Sequence, residues 1–176
     1  MNKTHKEMVQ KFKNRKWSGT HPCGTGSMFK NTKGTRDLLI KIVDKYNIKT
    51  ISNAGAGKPG WIKRIKWPHP VEIKHYDIDV KHKNVIKFDI TTEILPKTDL
   101  IICRHVLNHL YGWDELRNTA MKNFVKSGST YILYSHEQKT NSFFRKLGEP
   151  LETQIDEPYK QGGAEWHFSV WRINDG

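Results

Sequence analysis

The feature that most restricts the fold of this chain is a glycine-rich turn that follows a short strand. Residues 48–52, IKTIS, have the composition of a strand, and residues 53–60, NAGAGKPG, place three glycines in the spacing G-x-G-x-x-G. Glycines at such a turn let the backbone approach a ligand closely, because no side chain intervenes. The turn alone leaves three interpretations open: a nicotinamide cofactor, another nucleoside cofactor, and a turn that binds no ligand.

Further strands alternate with helices along the chain. Strands are predicted at residues 71–76, 84–88, 99–103 and 130–135, and residues 164–173 alternate as in a half-buried strand. Helices are predicted from Thr32 or Thr35 to about Tyr46, over 60–67 and 104–110, and from about Trp113 to Val125. This alternation predicts an α/β domain with a mostly parallel sheet, and ligands of such sheets bind at the carboxyl ends of the strands.

The charge of the chain is strongly basic. Its 176 residues include 30 basic and 18 acidic side chains, which gives a formal net charge of +12. Part of this charge lies in residues 3–16, a predicted amphipathic helix. Such an excess attracts polyanions, so nucleic acid is a candidate partner, although most of the cations are lysines suited to unspecific phosphate contact.

Other features indicate a protein of the cytoplasm. No apolar run reaches the length needed to span a membrane, so no membrane association is expected. Cys23 and Cys103 lie far apart and lack the paired spacing of a metal site or a disulfide framework. Both are therefore expected to be free thiols in a reducing compartment.

Polar residues recur where the predicted strands end. Asp77 and Asp79 follow the second strand, Asp89 follows the third, and Arg104 and His105 follow the fourth. This layout suits a nucleoside that carries an amino-acid tail. A dehydrogenase is less favoured, because one domain of this length leaves no room for a separate substrate domain.

Several motifs together make the chain resemble a small class I S-adenosylmethionine-dependent methyltransferase. It is similar in particular to a bacterial and phage group with four motifs, and the resemblance covers roughly residues 17–135. The matching residues are Trp17, Gly24, Gly26, Ser27, Thr35 and Arg36; NAGAGKPGW at 53–61; YDIDV at 76–80; and DLIICRHVLNHL at 99–110. The resemblance implies a Rossmann-like fold, a three-layer sandwich with an antiparallel C-terminal strand. Residues 1–176 would then form one domain, in which 1–30 supply a basic helix and a loop that closes over the cofactor.

The resemblance also implies which residues hold S-adenosylmethionine. Gly55 and Gly57 would form the turn under the methionine part, and Asn53 would contact its amino group. Asp79 would accept hydrogen bonds from both ribose hydroxyls, since a carboxylate offers several lone pairs. The remaining contacts would come from Asp89 and Ile90 at the adenine, from Cys103 and Arg104 near the sulfonium, and from Gly26 and Ser27 at the carboxylate.

The sequence departs from this family pattern at two places. The position of Asn53 normally holds an acid, which would offset the positive charge of the amino group. Only VKHKN, residues 80–84, connects the second and third strands, so the crossover there must be a loop instead of a helix.

Methyl transfer requires alignment and, where the acceptor carries a proton, a base. His105 and His136, which follow the fourth and fifth strands, are the candidate bases. His105 and His109 are spaced to share one helical face, but no third ligand is apparent, so no metal is expected. Two other classes stay open: a protein that binds, consumes or sequesters the cofactor without methylating, and a basic nucleic-acid-binding module.

Overall fold

A computed structural model describes residues 5–7, 9–10, 27–80, 82–110, 112–137, 148–155 and 166–175. The strands are β1 (Thr50–Ala54), β2 (Glu72–Asp77), β3 (Val85–Lys87), β4 (Leu100–Cys103), β5 (Tyr131–Glu137), β6 (Glu152–Ile155) and β7 (Trp166–Arg172). They form one sheet in the order β3-β2-β1-β4-β5-β7-β6. β1 to β5 are parallel, and β7 lies antiparallel between β5 and β6. The predicted Rossmann-like α/β fold is confirmed.

Helices cover both faces of this sheet. Helix α1 (Lys33–Lys45) has an apolar stripe that packs on one face of the sheet. Ile51 of β1 and the even-numbered residues of β4 contribute to the core on this face. Helix α2 (Asp114–Lys126) buries Ala120, Met121 and Phe124 against the opposite face. Each helix lies within one or two residues of its predicted bounds, and the two helical layers with the sheet between them form a three-layer sandwich.

The C-terminal strand differs from the prediction. The alternation of residues 164–173 suggested one buried and one exposed face, but β7 is buried on both. Phe168 and Val170 pack on the α1 face, and Trp171 packs on the α2 face. The reason is position: β7 is an interior strand, and β6, which the sequence did not reveal, lies outside it.

Two predicted helices are shorter than expected. Residues 60–67 contain only a 3-10 turn at Ile62–Arg64, and the segment after β4 contains a 3-10 turn at Leu107–Leu110. His105 itself has a φ of 50°, outside any right-handed helix. The prediction that His105 and His109 share one helical face is therefore wrong.

The remaining connections agree with the sequence. β2 and β3 pair in parallel, and residues 78–80 and 82–84 between them form bends and turns, as predicted for the short crossover. Residues 5–7 and 9–10 are helical, while the rest of the predicted N-terminal helix lies outside the described residues. Val9 packs against the core on the α2 face. No helix among the described residues has the length and apolar character needed to cross a membrane.

Candidate functional site

The glycine turn lies at the carboxyl end of β1, in the centre of the parallel strands. Gly55 and Gly57 have φ values of 71° and 52°, in the left-handed region that glycine adopts without strain. The N–H groups of Gly55 and Ala56 both donate to the Tyr76 carbonyl, at 2.8 and 3.0 Å, which ties the turn to β2. A Cβ at position 55 would lie 2.2 Å from Cγ2 of Val106, so this glycine also permits close packing inside the protein.

Asp77 holds the glycine turn and the β2 turn together. Its Oδ2 accepts a hydrogen bond from the Gly57 N–H at 2.8 Å, and its Oδ1 accepts one from the Asp79 N–H at 2.9 Å. Each is a charge-assisted bond to backbone, which is stronger than a neutral one. Asp77 thus fixes the half-buried Asp79 relative to the glycines. The sequence placed Asp77 at this strand end but did not reveal this role.

Asn53 is buried and bonded to a neighbouring strand. It lies opposite His75 in the register of β1 and β2, and its Nδ2 donates to Nδ1 of His75 at 3.1 Å. Burial, assisted by the charges of Lys63 and His82, lowers the pKa of His75 to about 4. The imidazole is therefore neutral at pH 7, with a lone pair on Nδ1 that accepts the amide proton.

Asp89 follows β3 and is also anchored on both oxygens. Oδ1 accepts from the N–H and the hydroxyl of Thr91, at 2.9 and 2.6 Å. Oδ2 lies 2.7 Å from Nε2 of His5, which is only 7% exposed. The Ile90 side chain next to Asp89 packs against the core on the α2 face. Nothing in the sequence distinguished His5 from the surrounding basic residues of the N-terminal segment.

Cys103 ends β4, and Arg104 follows it directly. Cys103 is fully buried, and burial raises the pKa of its thiol to about 12, so it is not a thiolate nucleophile. Nε of Arg104 donates to Oγ1 of the buried Thr35 at 3.2 Å. The Arg104 guanidinium lies 5.7 Å from the ring centre of Trp61 and 5.3 Å from that of Phe168, distances typical of cation–π contact.

His105 combines an unusual backbone conformation with a position just after β4. A positive φ in a residue other than glycine is strained, and such residues cluster at functional sites. Its N–H donates to Oγ of Ser135 on β5, and its half-buried ring meets the Phe168 ring edge-on at 5.8 Å. β4 and β5 thus position His105 jointly.

The other predicted site residues are described less fully. Ser27 is half-buried at the start of a described segment, whereas Gly26 lies outside the described residues. His136 lies on β5 opposite His167, but its side chain is not among those described. Within the described residues, no three His, Cys, Asp or Glu side chains are grouped as a metal site.

Comparisons with known proteins support this architecture. No protein-family model and no curated protein matches the sequence. Among solved structures, magnesium protoporphyrin IX methyltransferase (ChlM) from Synechocystis PCC 6803 with bound SAM has a TM-score of 0.62 at 14% identity, and the match covers 96% of this chain and 91% of that one.

Two further solved structures bear on the same fold. N-methyltransferase NodS from Bradyrhizobium japonicum WM9 with S-adenosyl-L-homocysteine has a TM-score of 0.59 at 15% identity, covering 84% of this chain and 88% of that one. The [4+2]-cyclase SpnF has a TM-score of 0.56 at 8% identity, covering 80% and 81%. At such low identity the likeness establishes the fold alone.

Proposed function

We propose that this protein is an S-adenosylmethionine-dependent methyltransferase. The observation that carries the proposal is the linkage of Gly57, Asp77 and Asp79 at the carboxyl ends of β1 and β2. This linkage places the glycine turn beside the half-buried carboxylate of Asp79, at the carboxyl ends of the strands, where parallel α/β sheets bind ligands. The structural neighbours crystallised with S-adenosylmethionine or S-adenosylhomocysteine support the same cofactor.

The residues at this edge fit the chemistry of a nucleoside with an amino-acid tail. Asp79 would accept the ribose hydroxyls, and Asp89 with Ile90 would contact the adenine. Each oxygen of Asp89 has more than one lone pair, so Oδ2 can accept an amino group in addition to His5. Gly26 and Ser27 would close over the carboxylate, and Cys103 and Arg104 would lie beside the sulfonium.

The protein would contribute alignment and proton removal to the reaction. S-adenosylmethionine supplies a methyl group on a positively charged sulfur. A lone pair of the acceptor forms the new bond to the methyl carbon, and the electrons of the broken bond return to the sulfur. His105 is our candidate to take a proton from the acceptor, because it follows β4 and is bonded to Ser135 of β5; His136 is the second candidate.

A non-methylating role is supported by one specific observation. The Asn53 amide donates to the neutral His75, and neither side chain supplies the negative charge that an acid would supply there. A protein that binds S-adenosylmethionine but sequesters or consumes it would tolerate this arrangement. The [4+2]-cyclase among the neighbours illustrates that this fold also occurs in a protein named for another reaction.

Calorimetry with S-adenosylmethionine and S-adenosylhomocysteine tests the cofactor. We expect wild-type protein to bind both, Asp79→Ala to bind neither measurably, and the matched Asp37→Ala control, which changes an exposed acid of α1, to bind like wild type. Absence of heat with either compound in wild-type protein would overturn the proposal. Incubation with methyl-labelled cofactor and a cell extract then distinguishes the two roles: label in an acceptor fraction indicates transfer, and binding without any labelled fraction indicates sequestration or consumption.

A further inference from the structure

Phe29, Arg36 and Arg64 form a surface cluster, here called the Phe29 patch. The Phe29 side chain is 40% exposed although it is aromatic. The guanidinium carbon of Arg36 lies 3.6 Å from the centre of its ring, and that of Arg64 lies 5.1 Å from it. Arg36 is also held by hydrogen bonds from Nη1 to the Phe29 carbonyl and to Oγ1 of Thr32. The patch is therefore an ordered arrangement of one ring and two cations.

The guanidiniums of the Phe29 patch are not held in ion pairs. No carboxylate among the described residues forms an ion pair with Arg36 or Arg64, although the charge of Asp37 acts on Arg36. Asp37, next to Arg36 in sequence, is paired with Lys33. Lys63 adds a further exposed cation beside Arg64. Two guanidiniums over one ring concentrate positive charge there, which favours the binding of an anion.

The Phe29 patch is connected by neighbouring residues to Arg104, which directly follows β4. Thr35 points inward and accepts a hydrogen bond from Arg104, directly after β4, while Arg36 is its neighbour on α1. Arg64 lies in the 3-10 turn that begins after Trp61, and the Trp61 ring contacts Arg104 as well. Thr35 and Trp61 thus connect the patch to Arg104, which is predicted to lie near the sulfonium. A methyl acceptor would reach the sulfonium at the carboxyl ends of the strands, where parallel sheets bind ligands.

We propose that the Phe29 patch docks a single-stranded nucleic acid as the methyl acceptor, an inference that rests on the proposed function. Arg36 covers one face of the Phe29 ring, and unpaired bases stack on guanidinium planes as well as on aromatic rings. A guanidinium also binds a phosphate through two hydrogen bonds. A duplex does not offer the face of a base to such a ring. An acidic protein would use the cations but not the exposed aromatic side chain.

Fluorescence anisotropy with a labelled 12-nucleotide RNA and DNA strand, and with the corresponding duplexes, tests the docking. We expect Phe29→Ala to weaken single-strand binding about 10-fold. Arg64→Ala should weaken it and lower the slope of log affinity against log salt by about 1. Arg64→Lys should restore the salt slope without full affinity, because it keeps the charge and loses the fork. The control is Lys122→Ala, an exposed cation on α2, which should bind like wild type.

Several outcomes would overturn the docking proposal. One is an equal loss of strand affinity for Phe29→Ala and Lys122→Ala, and another is duplex binding as tight as single-strand binding. A third is competition by free uridine monophosphate at concentrations near the dissociation constant of the strand, which would indicate a mononucleotide ligand. Calorimetry with S-adenosylhomocysteine on Phe29→Ala separates this proposal from the proposed function. We expect Phe29→Ala to bind the cofactor with wild-type affinity. If wild-type protein does not bind the cofactor, the strand cannot be a methyl acceptor, even where strand binding depends on the patch.

Discussion

The turns after β2 and β3 each carry an anchored carboxylate, but they are anchored in different ways. Asp77 bonds to the backbone of Gly57 and Asp79, and so stabilises two turns of the same sheet edge. Asp89 bonds to Thr91 in its own turn and to His5, 84 positions away in the chain. The β2 turn is therefore built from the strands themselves, whereas the β3 turn also depends on the N-terminal helical segment.

This difference divides the proposed cofactor site into two parts. The ribose end should keep its geometry whether or not the N-terminal segment is docked. The adenine end should be complete only when His5 reaches Asp89. Substitutions at the ribose end and at the adenine end should therefore differ in whether they change the stability of the protein, its cofactor affinity or both.

The largest effect is expected from Asp77→Ala. The change leaves the N–H groups of Gly57 and Asp79 without their acceptor, and we expect the free energy of unfolding to fall by about 2–3 kcal/mol. Cofactor binding should be lost together with stability, because Asp79 is no longer fixed. Urea denaturation and calorimetry measure the two effects. An Asp77→Ala protein with wild-type affinity would show that the β2 turn does not need this carboxylate.

Gly55→Ala should have the next largest effect. A Cβ at 55 would overlap Val106 and would have to adopt a φ of 71°, so we expect a loss of about 1–3 kcal/mol in thermal or chemical denaturation. Gly60→Ala is the matched control, since nothing lies within 4 Å of the corresponding Cβ. Combining Gly55→Ala with Val106→Ala should recover only the part of the loss that is due to overlap. Equal stability of the Gly55 and Gly60 variants would contradict the packing described here.

His5→Ala should act on affinity more than on stability. It removes a hydrogen bond that orients Asp89, and we expect cofactor affinity measured by calorimetry to fall about 3- to 10-fold, equivalent to the net contribution of one ordinary hydrogen bond. Glu7→Ala, an exposed change in the same helical segment, is the control. Tighter binding by His5→Ala would mean that His5 competes with the adenine, which would reverse the role given to it here.

The effect of His75, which lies opposite Asn53 on β2, is the smallest at neutral pH and grows as the pH falls. Its pKa of about 4 in the folded protein lies below the usual 6.5, so the unfolded chain binds more protons between these values. The free energy of unfolding should therefore fall as the pH is lowered from 6.5 to 4, by at most about 3 kcal/mol from this residue at the acid end of that range. His75→Gln should show a shallower decline over that range in denaturation curves. An unchanged slope would mean that His75 is not held neutral by the fold.

Much of the fold followed from short patterns in the sequence. β4 and the first part of β5 are apolar runs that the sequence reveals because burial on both faces requires them. β1, β2 and β3 are less apolar, and the polar or glycine residues at their ends helped to indicate them. β6, with the residues ETQI, lacks that signal, because an edge strand needs fewer apolar side chains. The alternation in β7 suggested a solvated face, since His167 and Ser169 are polar, yet both are buried by neighbours that the local pattern does not reveal.

For the candidate site, the sequence predicted the positions of the main carboxylates along the chain. Asp79 and Asp89 follow β2 and β3 as the sequence indicated, and their contacts with a cofactor stay predictions. The partners that fix them were not predictable. The role of Asp77 depends on how two strand ends meet, and that of His5 depends on docking over a long separation in the chain. Neither contact produces a periodic pattern of residues that could be recognised in the sequence.

The interior position of β7 has a consequence for the order of assembly during synthesis. Until residues 166–172 have left the ribosome, β5 presents an unpaired edge that is flanked by the apolar side chains of both faces. A nascent chain that pauses before that point would display a surface prone to aggregation.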